Sequence, residues 1–215
     1  MVNEKAFILM LLLFLVALKL WRTAFAYPLR LAVTLFHETG HLLGAVATGG
    51  ILFGMEVNAE DLSGRALKFE GSKKARTVGT NMGYLGSIGF GLLIYMIPFT
   101  RLSGASLLIT GILILLVTLA WVKETAKGIA YCMLLGAALI IMHFMLSATT
   151  AAYATMFIGI CIALYSFLEI DRCDSDAHSL SCDTHIPAFL WKGLWLFSSG
   201  LVFALMAYMA LYCMG

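Results

Sequence analysis

His37, Glu38 and His41 form a His-Glu-x-x-His run inside residues 31–48, a stretch that is otherwise apolar. On a helix, residues four apart share a face, so both imidazoles can reach one metal ion while Glu38 stands beside them as a base. That is the donor pattern of a zinc hydrolase. A charged residue at the centre of a membrane helix costs about 2.5 to 3.5 kcal/mol on insertion scales, so a charged triplet in an apolar run reads as functional. The bland alternative, two histidines bonded to neighbouring helices, gives no reason for Glu38 to lie between them. A catalytic zinc takes three protein ligands and keeps a fourth position for water. The third ligand must therefore come from elsewhere, and Asp171, Asp174, Asp176, His178 and Asp183 are the candidates.

The elements that position these residues must be membrane helices. Of the 215 residues 61% are hydrophobic and only 12% charged, with a mean hydropathy of +0.94; a soluble domain carries about 25% charged residues. At about 20 apolar residues per crossing, the chain reads as one all-α polytopic membrane domain over 1–215, with six to seven transmembrane helices and no separate soluble domain. A net charge of +2 says nothing about nucleic acid, no basic run longer than Lys73-Lys74-Ala75-Arg76 suggests such a partner, and none is expected. The five cysteines include no Cys-x-x-Cys; Cys132, Cys161 and Cys213 lie in apolar runs. Cys173 and Cys182 share a polar stretch with His178 and His185, but their spacing fits no zinc pattern.

The first apolar run, Ala6 to Leu20, reads as an uncleaved span because Lys19, Trp21 and Arg22 form an interfacial flank, although Ala24-Phe25-Ala26 resembles a signal-peptidase site. The second starts after Pro28, carries the metal motif and ends at Gly49-Gly50. Further spans are expected at Asn81 to Pro98, Ala105 to Val122, Gly128 to Leu146, Ala148 to Leu168 and Ala188 to Tyr212. Glycines 83, 86 and 89 fall at helical spacing and allow a neighbouring helix to approach closely. His143, near the turn between two spans, reads as an interface residue.

One region departs from helical periodicity. Within 49–79, Ile51, Phe53, Met55 and Val57 alternate with Leu52, Gly54 and Glu56, and Leu67 and Phe69 alternate with Lys68 and Glu70. A period of two on either side of 58–64 predicts a β-hairpin directly after the metal-binding helix. An acidic loop is expected over 169–187, with Ser175 as N-cap of a short helix through Asp176, Ala177 and His178. Seven spans put the N-terminus, the hairpin, the loop at Lys123 and the acidic loop on one side. That side carries ten basic residues against four on the other (Lys19, Arg22, Arg30, Arg101). It is expected to be cytoplasmic, in a bacterial cytoplasmic membrane.

From Leu31 to Trp195 the chain resembles the site-2 protease-like intramembrane zinc metalloproteases, in their compact B-type branch. The resemblance rests on Phe36-His37-Glu38-Thr39-Gly40-His41 with Thr48-Gly49-Gly50, and on Gly83-Tyr84-Leu85-Gly86 with Gly91. Ser175-Asp176-Ala177, Pro187 and Trp191-Lys192-Gly193-Leu194-Trp195 complete it. The Leu-Asp-Gly signature that carries the third ligand in other relatives is absent, and Asp176 stands in its place. The resemblance implies one zinc ion per chain on His37, His41 and Asp176, with Glu38 as general base. It also implies, as substrate, a membrane protein or peptide segment within the lipid bilayer. Because a helix in lipid pairs all its amides internally, such a segment must unwind; the hairpin around Gly54 and the side chain of Asn81 are expected to hold its extended backbone. Two other readings compete. Di-iron membrane enzymes resemble chains with more histidine boxes than this one has, and a catalytically silent membrane adaptor binding partner helices would have no need of the intact triplet.

Overall fold

A computed structural model describes residues 4–51, 53–58, 60–67, 70–123, 125–169 and 173–212. Leu52, Lys68, Phe69, Asp171 and Cys213, named above, lie outside them. In chain order come α1 (Glu4–Leu20), α2 (Tyr27–Ala47), β1 (Gly54–Val57), β2 (Gly64–Leu67), α3 (Lys73–Met96), α4 (Ser106–Trp121), α5 (Ala126–Met145), α6 (Ala148–Ala163), α7 (Tyr165–Leu168), α8 (Cys173–Thr184) and α9 (Ala188–Tyr212).

The array is built around α2. Pro28 sits in its first turn, where the missing N–H costs nothing. From Leu31 through Gly40 every residue is buried, so this middle stretch of the helix is surrounded by protein. Its main neighbour is α3. The two run antiparallel, Gly79 meeting Ala45 while Gly86 meets Gly40, where an added β-carbon would lie 2.7 Å from Gly40 Cα. α3 starts eight residues before the expected Asn81, because Ser72 caps it by accepting from the Ala75 N–H.

Helix α1 belongs to the core. Met10, Phe14, Ala17 and Trp21 are buried, and Phe14 meets Phe203 of α9 at a ring separation of 5.7 Å.

The hairpin forms as β1 and β2, antiparallel with Val57 opposite Gly64 and Gly54 opposite Leu67, and is prolonged by a bridge between Ile51 and Glu70. Its β1 side is fastened to the α4–α5 connection. The Lys123 N–H donates to Met55 O at 2.8 Å, and Thr125 Oγ1 donates to Val57 O at 3.1 Å. Thr34 Oγ1 donates to Leu62 O at 3.1 Å, which ties the hairpin loop back to α2.

The chain is helical as expected, while the count of six to seven spans is not confirmed. Among the described residues four helical stretches are long and apolar enough to cross a membrane: Lys73–Phe99, Ser103–Trp121, Ala126–Met145 and Ala188–Tyr212. Ile8–Leu20 and Ala148–Ala163 are apolar but shorter. The expected span to Leu168 breaks at Leu164, and α2 has the length but carries Arg30 and the polar motif. Nor is 169–187 a loop throughout. It is helical from Cys173 to Thr184, and helix begins before the expected cap at Ser175.

Candidate metal centre

An unbroken α2 sets the two histidines one turn apart, with Nε2 of His37 and Nε2 of His41 separated by 3.0 Å. His41 Nδ1 lies 2.9 Å from Gly79 O. A carbonyl only accepts, so Nδ1 carries the proton and the Nε2 lone pair is left for a ligand. Space for both rings comes from Gly83 of α3: a β-carbon there would lie 2.5 Å from His41 Nε2 and 2.7 Å from His37 Cε1.

Asp176 reaches the same point from α8. Cys173, Ala177 and Leu180 are the buried residues of that helix, spaced four and then three apart, so they form its inward stripe with Asp176 beside them. Asp176 Oδ2 lies 3.3 Å from His37 Nε2 and 3.5 Å from His41 Nε2.

The three donor separations test the fit to zinc. With zinc–nitrogen and zinc–oxygen bonds of about 2.0 to 2.1 Å, neighbouring ligands of a tetrahedron lie about 3.3 Å apart. The observed edges of 3.0, 3.3 and 3.5 Å bracket that value. Glu38 completes the group, since His37, Glu38 and His41 each offer a ligand atom within 4.8 Å of the others. All four residues line a cavity of about 760 Å³, which also touches Ser63, Gly64 and Arg65 of the hairpin.

Among the described residues, the other sequence candidates are engaged elsewhere. Asp174 pairs with Lys192, and Asp183 forms a two-pronged pair with Arg76 at 2.6 and 2.8 Å. His178 is exposed, its Nε2 3.7 Å from Cys182 Sγ. Asn81 does not line the cavity; its Oδ1 accepts from Trp195 Nε1 at 2.8 Å. Gly54 does not line it either. It lies on β1 with φ +147°, where a β-carbon would meet Trp121 O at 2.7 Å, so only glycine suits the contact with the α4–α5 connection.

Four residues at the site were not singled out for it from the sequence. Tyr84 and Tyr165 meet the His37 ring edge-on at 4.6 and 4.5 Å, and Tyr84 stacks on Trp195 at 4.1 Å, so an aromatic column from α9 fixes the imidazole. Gly64 makes room for Glu38, and Gly83 makes room for the imidazoles. The Gly83-Tyr84 pair was visible as a motif, whereas its proximity to His37 depends on how α2 and α3 pair.

A family model described as Peptidase M50B-like matches residues 9–206. No curated protein and no solved structure gives a match.

Proposed function

The chain belongs to the Peptidase M50B-like family, the site-2 protease branch of membrane metallopeptidases, and from that premise we propose that it is a zinc-dependent endopeptidase cutting transmembrane or membrane-adjacent segments. One observation carries this reading: two imidazole nitrogens and a carboxylate oxygen at mutual distances of 3.0, 3.3 and 3.5 Å, with Glu38 alongside.

His37, His41 and Asp176 would hold one zinc ion. Zinc bound there supplies a Lewis acid for the scissile carbonyl and brings the pKa of a water molecule to about 7. Glu38, next to His37 on the same helix, takes the proton of the attacking water and returns it to the leaving amine.

The extended substrate backbone is received by β2. Ser63, Gly64 and Arg65 line the cavity, whereas β1 is occupied by the α4–α5 connection, so strand addition on the β2 side brings a peptide bond alongside Glu38. The excess of basic residues on the hairpin side supports a cytoplasmic orientation for that side.

Glu38→Gln tests the reading. The variant should keep its zinc and lose cleavage of a reconstituted transmembrane peptide by about 10²- to 10⁴-fold. Cleavage at the wild-type rate by purified Glu38→Gln would remove Glu38 as the base.

A further inference from the structure

Helix α2 meets the chain segment that ends in α8 at two points. The first is the metal centre, where His37 faces Asp176. The second lies seven residues earlier in both segments: Arg30 precedes His37 by seven positions, Glu169 precedes Asp176 by seven, and Arg30 Nε donates to Glu169 Oε1 at 3.2 Å. Trp21, at the end of α1, donates its Nε1 to the same oxygen at 2.8 Å.

We propose that Arg30, Glu169 and Trp21 are positioning residues that fix where α8 begins relative to α2, and so carry Asp176 to the paired imidazoles. This rests on the reading of Asp176 as a metal ligand.

Helix α8 packs on α3 and α9, but the side chains it buries are only a cysteine, an alanine and one leucine, and the rest of its sequence is polar. Among the described residues, the ion pairs of α8 are open to solvent on one side at least: Arg76 is 53% exposed against Asp183, and Asp174 is 71% exposed against Lys192. Pairs of that kind contribute little. The Arg30–Glu169 pair is different, with side chains 19% and 12% exposed. Removing one member of an enclosed pair leaves the other charge uncompensated, so the contact resists opening. The backbone continues the tether, because Cys173 Sγ, at the first turn of α8, points at Glu169 O at 3.7 Å. With one end fixed on α2, the two turns of α2 between Arg30 and His37, about 10 Å, define the distance over which Asp176 must arrive.

The test is metal affinity rather than turnover. Cobalt(II) is titrated into purified wild-type chain and variants in competition with a chromophoric chelator, with the d–d spectrum recorded and helix content checked by circular dichroism. Glu169→Gln should bind about 10- to 100-fold more weakly, the range over which losing the support of a metal ligand weakens binding, and its spectrum should lose tetrahedral intensity. Arg30→Lys, which keeps the charge, should recover most of the affinity lost in Arg30→Met. A purely structural role would lower the melting temperature of Glu169→Gln and leave the affinity of the folded protein within twofold of wild type, and that result overturns the proposal. If Glu169→Gln does not fold, Trp21→Phe decides by the same criterion, a several-fold loss supporting the proposal and an affinity within twofold overturning it. A wild-type chain that binds no metal would show, in its own titration, that the metal reading fails and this inference with it.

Discussion

Gly64 of β2 stands against Glu38 of α2 so closely that a β-carbon at position 64 would lie 2.5 Å from Glu38 Oε1. The hairpin therefore sets the position of the proposed base as well as lining the cavity. Gly64→Ala should displace the carboxylate or push β2 outward. Since a misplacement of about 1 Å can cost 10²-fold in rate, cleavage should fall by roughly 10- to 100-fold while zinc content stays that of the wild type. Steady-state cleavage with metal analysis on the same sample checks this. Unchanged turnover would mean that β2 does not control Glu38.

Asn81 holds the outer end of the aromatic column on His37 through Trp195. In Asn81→Leu the indole N–H would be left unpaired in a fully buried residue. An unmade buried hydrogen bond costs about 1 to 3 kcal/mol, so the unfolding midpoint should drop while KM stays close to wild type. A raised KM with unaltered stability would instead assign Asn81 the substrate contact expected from the sequence.

Arg76 and Asp183 join the start of α3 to the end of α8. The hydrogen bond from Arg76, followed by its charge, holds the Asp183 carboxyl below its ordinary range. A depressed folded-state pKa means that the unfolded chain takes up the proton first as pH falls. The contribution of this pair is thus fully present above the unfolded value of about 3.9, and is lost as pH drops through the lower folded value. Melting temperatures of wild type and Asp183→Asn should differ by a constant small amount above about pH 5 and converge in acid. A gap that widens in acid would contradict the assignment.

The sequence made some of this structure legible and hid the rest for physical reasons. Pro28 and Gly49-Gly50 bracket α2, and a period of two marks the hairpin, because local chemistry decides both. Helix α9 has the expected bounds, Ala188–Tyr212, set by its uniform apolarity. Helix α8 was masked by its acidic composition. Its inward stripe consists of only Cys173, Ala177 and Leu180, too sparse to stand out beside Asp174, Asp176 and Asp183. The start of α3 was hidden in the same way, since its first turns carry Lys73, Lys74 and Arg76, and hydropathy rises only near Asn81. Among the described residues fewer stretches stand out as spans than in the sequence, because a polar motif in α2 and a break at Leu164 interrupt continuous apolar runs.

At the site, the histidine pair and Glu38 are neighbours in sequence and could be read directly. Asp176 could be shortlisted by residue type, but its distance to the imidazoles depends on how α8 returns to α2. The contacts of Gly64 with Glu38, of Gly83 with both imidazoles, and of Tyr84 and Tyr165 with His37 are tertiary. No local pattern announces them.

The account stands on Asp176 closing a three-ligand zinc site with His37 and His41, and stoichiometric metal analysis tests that most directly. Wild type and Asp174→Ala should each carry about one zinc per chain, and Asp176→Ala close to none. Wild-type occupancy in Asp176→Ala, with zinc lost from Asp174→Ala instead, would contradict it.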